Sequence, residues 1–193
     1  FARDVKWQFA LDNKKRILNL LLVSNELTKK FYPFNFKLNI EVSFGINSLE
    51  FNINIENHSR KKMPINFGLH PYFNISEFNN IKFINHPLVC QNQKNNTLEI
   101  SENLLRSVSS GVDLLMYSNG DISFKDLGLN RQITLINPSP FDLSVIWSDP
   151  PRKMICLEPW MSPRNSFIEG YRNINLLPNQ IQKFKASIKV DSF

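Results

Sequence analysis

FNFKLNIEVSFGINSLEFNINI, residues 34–55, alternates apolar and polar side chains on both sides of a short turn. Every even position from 34 to 44 is apolar, and after the turn at residues 45–48 the alternation resumes on the odd positions from 49 to 55. A period of two is typical of a strand that buries one face. Two such runs joined by a short turn predict a long antiparallel hairpin.

The same period recurs along the chain. Three further alternating runs are Val5-Trp7-Phe9, Leu143-Val145-Trp147 and Phe184-Ala186-Ile188-Val190. No stretch has a convincing helical period, and the eleven prolines fall between the runs together with Asn and Ser clusters. We therefore predict an all-β, antiparallel β-sandwich with its site on an open sheet face or among the loops. Because no composition break marks a linker, we expect one domain over residues 1–193.

Composition narrows the classes of function. With 42% hydrophobic and 21% charged residues, the chain matches an ordinary globular protein and not a disordered one. The net charge of +6 raises the question of a nucleic-acid partner, but the basic residues lie in short groups such as 14–16 and 60–62. Such groups are more typical of solvated turns than of a binding stripe, so we expect no nucleic-acid partner.

The number of cysteines and the length of the apolar runs indicate the cellular location. Cys90 and Cys156 are too few for a disulfide framework, which favours a reducing compartment and a cytoplasmic location. The longest apolar run, Ile17–Val23, falls far short of the ~20 residues that a membrane span needs. We expect no membrane partner.

His70 stands out within INFGLHPYFN, residues 65–74. Pro71 disfavours the helical region for His70 and holds it extended, while Gly68 lets the backbone turn or approach a neighbour closely. A half-buried histidine bonded to one backbone group is the structural alternative. His86 precedes a proline without the glycine and the following aromatics, so we interpret it as structural or surface.

Glu158 stands out in the same way within ICLEPWMSP, residues 155–163. A carboxylate that follows an apolar run needs a partner or water, because an unpaired buried charge is costly. An ion pair with Arg152 or Arg164 is the structural alternative. A histidine near its titration midpoint and a partly desolvated carboxylate are also the pair that moves two protons at once, one as acid and one as base.

Other residues are candidates for substrate binding. Asp113, in SGVDLLMY, is suited to hold a polar ligand or to orient the histidine, although a turn aspartate that caps a strand entry is equally consistent. Tyr72 and Trp160 offer flat faces for a sugar ring, and they are also ordinary core residues. No His/Cys/Asp cluster has zinc spacing and no glycine-rich phosphate loop occurs, so we expect neither metal nor cofactor.

The order of these motifs resembles a known family. MPINFGLHPYFN, Asp113 in GVDLLMY, and CLEPW resemble the aldose 1-epimerase (galactose mutarotase) superfamily, and FYPFNFKLNIEVSF resembles its Tyr-Pro-Phe strand. HPYF together with EPW is similar to the LacX-like branch. The opening FARDVKW resembles the end of a His-Gly-Phe-Ala-Arg motif. The resemblance thus implies a galactose mutarotase-like supersandwich that lacks its N-terminal third, and less activity than a chain extended upstream.

The resemblance also implies a reaction, the interconversion of the α and β anomers of a free hexose without metal or cofactor. Glu158 would be the general base and His70 the general acid, converging on opposite sides of a space the size of one pyranose. Asp113 would hold a hydroxyl and Arg3 would contact the substrate. A hexose-6-phosphate 1-epimerase and a non-catalytic carbohydrate-binding relative stay open as alternatives, and so does the oligomeric state.

Overall fold

The computed structural model describes residues 1–118, 121–136 and 138–193. The strands are β1 Gln8–Asp12, β2 Ile17–Val23, β3 Phe36–Phe44, β4 Ser48–Asn57, β5 Met63–Ile65, β6 Tyr72–Asn74, β7 Ile81–Ile84, β8 Val89–Asn92, β9 Thr97–Ile100, β10 Asp113–Tyr117, β11 Ile122–Asp126, β12 Arg131–Ile136, β13 Leu143–Trp147, β14 Met154–Trp160, β15 Ile174–Leu176 and β16 Ile181–Ser192. The α-helices are α1 Glu26–Lys29, α2 Ser101–Leu105 and α3 Ser166–Glu169. Short 3-10 turns cover Ala2–Asp4, Phe78–Asn80 and Val108–Ser110. The predicted all-β class is confirmed.

One compact unit comprises Phe1–Asn66 and Ser166–Lys185. Its strands β1 to β4 are sequential antiparallel neighbours, and β15 pairs with β5. The hairpin predicted from residues 34–55 is confirmed as β3 and β4, with Ile40 opposite Ile53. Burial along β3 alternates with the sequence, because its apolar side chains face the interior and its polar ones do not.

The predicted strand near the start of the chain is shifted. Strand β1 begins at Gln8, so Val5 and Trp7 of the expected alternating run lie before it. Phe9 is 75% exposed on that strand. An alternation of only three apolar residues does not fix where a strand begins or which face it buries. The predicted start of this strand was therefore wrong.

The other compact unit comprises Phe67–Asn165 and Ala186–Phe193, and it contains two sheets. One sheet has the strand order β6-β14-β13-β10-β8-β9. In the other, β11 lies between β7 and β12, and β12 pairs with the end of β16. The sheets meet through apolar side chains, for example the rings of Phe73 and Phe124 at 5.9 Å between centroids. This unit is therefore a β-sandwich.

The cysteines and the helices can be compared with the predictions from the sequence. Cys90 and Cys156 are both free and buried. In the part of the chain that the structure describes, no helix combines the length and the apolar character needed to cross a bilayer. The expectation of one domain over residues 1–193 stays a prediction.

Candidate active site

The register between β14 and residues 68–74 brings the two predicted proton-transfer residues together. Cys156 lies opposite Tyr72, and Gly68 forms a bridge with Trp160. The same register places His70 opposite Glu158 on the neighbouring stretch of chain. The distance from His70 Nε2 to Glu158 Oε1 is 3.5 Å. Residues 88 positions apart in sequence thus meet because two extended segments run antiparallel.

These side chains share one face of the six-stranded sheet. A row of cross-strand partners crosses four adjacent strands. Its members are Tyr72, Cys156, Trp147 and Asp113. Because side chains alternate along a strand, Ile155 and Leu157 point the other way, as does Phe73, which packs against the second sheet. The candidate site therefore lies on the outer face of the sandwich.

Gly68 and Pro71 explain why the segment follows β14 so closely. A Cβ on Gly68 would lie 2.9 Å from Trp160 Cδ1 and 3.2 Å from the Pro159 carbonyl oxygen, so a larger residue would push the two segments apart. The Leu69 amide donates to that same carbonyl at 3.1 Å. The close approach expected of Gly68 is confirmed.

Glu158 is a buried carboxyl group, with 1% of its side chain exposed. Its cross-strand partner Val145 belongs to a buried apolar cluster with Leu115 and Leu143. Trp160 Nε1 donates a hydrogen bond of 2.9 Å to Glu158 Oε2. Glu158 is thus held in place on an apolar floor by a neutral donor.

The electrostatics of Glu158 follow from that burial. Desolvation raises the pKa of Glu158 to about 8, the negative charge of Asp113 adds to the rise, and the Trp160 hydrogen bond and the charge of Arg164 oppose it. The arginines considered as ion-pair partners for Glu158 pair elsewhere. Arg164 Nη2 lies 2.9 Å from Asp113 Oδ2, and Arg152 pairs with Asp149.

Aromatic rings surround His70. Tyr72 stacks on the imidazole with centroids 4.8 Å apart and an angle of 13° between the planes. Trp147 lies edge-on to both rings, at 5.9 Å from His70 and 6.1 Å from Tyr72. Tyr72 is 55% exposed, so it presents a flat surface beside the histidine. Trp147 was missed from sequence, although its strand was predicted, because only the strand register reveals its neighbours.

Asp113 begins β10 and is held by two donors. Gln93 Nε2 donates to Asp113 Oδ1 at 2.7 Å, and Arg164 donates to the other oxygen. The side chain of Asp113 is 14% exposed, whereas that of Arg164 is 58% exposed. Asp113 was a candidate from the sequence, whereas Gln93 was not, and Arg164 was considered only as a partner of Glu158, because no local pattern marks either residue.

A thiol completes the immediate surroundings of the pair. Ligand atoms of His70, Cys156 and Glu158 all lie within 4.8 Å of one another. Burial raises the pKa of Cys156 to about 12, and the neighbouring charge of Glu158 adds to the rise. These three residues have the donor types that bind metals, and no zinc spacing is visible in sequence because the ligands come from two separate segments.

Arg3, the remaining candidate, belongs to the other compact unit. It lies in the turn Ala2–Asp4, where its side chain is 79% exposed and pairs with Asp4 at 3.2 Å. Its contact with a substrate stays a prediction.

Several solved structures are similar to this chain in fold. The chain has 26% identity and a TM-score of 0.92 to the structure of the Slr1438 protein from Synechocystis sp. PCC 6803, covering all of this chain and 68% of that one. A galactose mutarotase related enzyme from Lactobacillus acidophilus has 22% identity and a TM-score of 0.80, with 100% and 73% coverage. A galactose mutarotase-like protein from Clostridium acetobutylicum has 18% identity and a TM-score of 0.81, with 100% and 68% coverage.

These similarities confirm the predicted mutarotase-like sandwich. No curated protein gave a significant match. The family model for aldose 1-epimerase matches residues 1–189, nearly the whole chain. The chain therefore belongs to the aldose 1-epimerase family.

Proposed function

We propose that the protein interconverts the α and β anomers of a free hexose, with Glu158 as general base and His70 as general acid. The observation that carries the proposal is the 3.5 Å approach of the two side chains on one sheet face. An anomeric hydroxyl oxygen and a ring oxygen are bonded to the same carbon and lie closer together than this. One acid and one base at this spacing can therefore contact both oxygens at once.

The distance between His70 and Glu158 is shorter than we expected from the sequence. We expected the acid and the base on opposite sides of a pyranose, but 3.5 Å leaves no room for a ring between them. The two groups would act from the same side of the sugar. The exposed face of Tyr72 lies beside them, where it can stack against an apolar face of the ring.

The proposed reaction conserves protons over one ring opening. The Glu158 carboxylate takes the proton of the anomeric hydroxyl while the His70 imidazolium gives its proton to the ring oxygen. The bond from C1 to the ring oxygen breaks and leaves an open-chain aldehyde. Rotation about the C1–C2 bond presents the other carbonyl face, and the reverse transfers close the ring. Burial favours this role, since a carboxylate with a raised pKa is a stronger base than an exposed one.

Substrate contacts are assigned to the remaining candidates. Asp113 would accept from a sugar hydroxyl, and its carboxylate is oriented for this by Gln93 and Arg164. Trp160 would contact the ring while its indole N–H holds Glu158.

Polarimetry on freshly dissolved α-glucose or α-galactose tests the proposal. We expect Glu158→Gln and His70→Asn each to lower the mutarotation rate by ~10²- to 10⁴-fold, because each removes one proton-transfer group. His86→Asn is a matched control, since it changes the other His-Pro dipeptide, and should keep the wild-type rate. Circular dichroism should show unchanged folding in all three variants.

Two outcomes would oppose the proposal. A fully active Glu158→Gln variant would remove Glu158 from the mechanism. A wild-type chain that binds hexose by calorimetry without accelerating mutarotation would favour the non-catalytic carbohydrate-binding alternative.

A second candidate, a hexose-6-phosphate 1-epimerase, is favoured by a basic cavity next to Tyr72. The cavity has a volume of about 600 Å³ and is lined by Tyr72, Asn74, Ile75, Arg152, Lys153 and Met154. Its two cations pair with surface acids, Arg152 with Asp149 and Lys153 with Glu77. Rates on glucose and glucose 6-phosphate separate the candidates. A preference for the phosphate ester that disappears in Arg152→Gln/Lys153→Gln would select this one.

A further inference from the structure

Three metal-ligand side chains of different chemistry converge at the candidate site. Cys156 and Glu158 are two residues apart on β14, so they project from the same face, and His70 lies opposite Glu158. One imidazole nitrogen, one sulfur and one carboxylate oxygen are thereby brought within 4.8 Å of one another. The proposed reaction assigns no role to the thiol.

We infer that His70 Nε2, Cys156 Sγ and a carboxylate oxygen of Glu158 bind one zinc ion, which blocks the site against the sugar. Nitrogen, sulfur and oxygen ligands of this kind select zinc over magnesium or calcium, which prefer oxygen alone. Thiolate and carboxylate together carry two negative charges, which balance the charge of Zn²⁺. Three protein ligands leave one coordination position for water.

The geometry needs only a small adjustment. Zinc bonds of ~2.0 to 2.3 Å in a tetrahedral arrangement place ligand atoms roughly 3.3 to 3.6 Å apart. The His70 and Glu158 atoms are already at 3.5 Å. The other separations within the triad lie within 4.8 Å, so ligation needs only small side-chain movements, and the His70 side chain is 37% exposed and can rotate. Metal binding displaces the Cys156 proton to solvent and forms the zinc-thiolate bond.

Binding and inhibition are separate consequences. Binding depends only on the three ligands, whereas inhibition rests on the proposed function. A zinc ion bound to His70 Nε2 takes the place of the proton that His70 must donate, and its bond to Glu158 occupies a carboxylate oxygen that must accept one. The mutarotation rate should therefore fall with added zinc and recover with a chelator.

Cobalt substitution tests binding independently of catalysis, because a thiolate bound to Co²⁺ gives a charge-transfer absorption in the near ultraviolet. We expect one equivalent of Co²⁺ to produce this band in the full chain with reduced thiols, and Zn²⁺ to displace it. Cys156→Ala should abolish the band and weaken zinc binding by more than ~10-fold, as expected for the loss of a direct ligand. Cys90→Ala is the matched control, since Cys90 is also a free, buried cysteine on a strand.

Because His70 is half-exposed, a substitution there gives a second test in case the Cys156→Ala variant does not fold. His70→Asn should weaken zinc binding to a similar extent, and His58→Asn, at another exposed histidine, should not. The inference is overturned if wild type binds no stoichiometric metal or if the band survives in Cys156→Ala. It is also overturned if zinc binds but leaves the rate of an active chain unchanged. A chain without mutarotase activity would refute the proposed function, while the cobalt band alone would still decide the metal site.

Discussion

Glu158 differs from an ordinary strand glutamate because its carboxyl group has lost water without gaining a direct cationic partner among the described arginines. Arg164 is engaged by Asp113, so its charge acts on Glu158 only at a distance. Asp113 acts with the opposite sign. Burial therefore sets the pKa of Glu158, and the charges of Asp113 and Arg164 shift it in opposite directions. The effect of each charge can be measured.

The pH dependence of kcat/KM should report these charges. Because Glu158 must be deprotonated and His70 protonated, we expect a bell-shaped profile, with one midpoint near 8 from the pKa of Glu158. Arg164→Gln removes a cation that lowers this pKa and should move the midpoint up. Asp113→Asn removes an anion that raises it and should move the midpoint down. The profiles are measured by polarimetry with EDTA present, so that no metal occupies the site.

Arg106→Gln is a charge-matched control for Arg164→Gln, because Arg106 pairs with Glu102 on helix α2. It should leave the midpoint in place. If Asp113 holds the sugar, Asp113→Asn also lowers the maximal value of kcat/KM. The pH at the midpoint does not depend on that maximal value. Shifts of equal sign in the two test variants would refute the assigned electrostatics.

At the scale of single residues, the sequence predicted those whose local context is unusual. His70 lies between Gly68 and Pro71, and Glu158 follows an apolar run, so both are visible in a short window. Gln93, Trp147 and Arg164 have no such context. Their positions depend on which strands are neighbours, and a single sequence does not give strand order.

At the scale of elements, the site depends on how closely residues 68–74 follow β14. Gly68→Ala would place a Cβ 2.9 Å from Trp160, the residue that donates to Glu158. We expect the displaced indole to loosen Glu158 and lower kcat by ~10- to 100-fold, since small misplacements of catalytic groups are costly. Polarimetry measures the effect, and thermal unfolding shows whether the fold is kept.

Gly170→Asn is the control for Gly68→Ala. Gly170 has φ of +69° with no atom near its Cβ position, and asparagine tolerates that backbone region better than most residues. It should keep wild-type kcat. A fully active Gly68→Ala variant would show that Trp160 does not hold Glu158 for catalysis.

The predictability of the elements follows their length. The strands β3, β4 and β16 each carry several alternating positions, and their predicted and observed ranges overlap closely. The three-residue strands β5, β6 and β15 were missed, because so few positions cannot display a period of two. Yet β6 carries Tyr72, so the site depends on an element that periodicity alone does not reveal.

At the scale of the whole molecule, the same buried carboxyl group that suits the proposed reaction should destabilise the fold. The pKa of Glu158 is higher in the folded chain than in the unfolded chain, where it is ~4.3. Below that value both states are protonated and Glu158 costs nothing in charge burial. Between that value and about 8 the unfolded chain is ionised while the folded chain still binds the proton, so stability falls progressively as pH rises. Above about 8 the folded state buries the charge and the loss is complete.

Glu158→Gln should therefore stabilise the protein in a pH-dependent way. Glutamine stays neutral and its carbonyl oxygen can still accept from Trp160. We expect little difference in Tm from wild type at pH 5 and an increase at pH 9 equivalent to at least ~2 kcal/mol, given ~1.4 kcal/mol per unit of pKa shift. Thermal unfolding followed by circular dichroism at both pH values measures it. Glu50→Gln, at an exposed position of β4, should show no such pH dependence. Equal Tm differences at pH 5 and pH 9 for Glu158→Gln would mean that Glu158 does not titrate as a buried base.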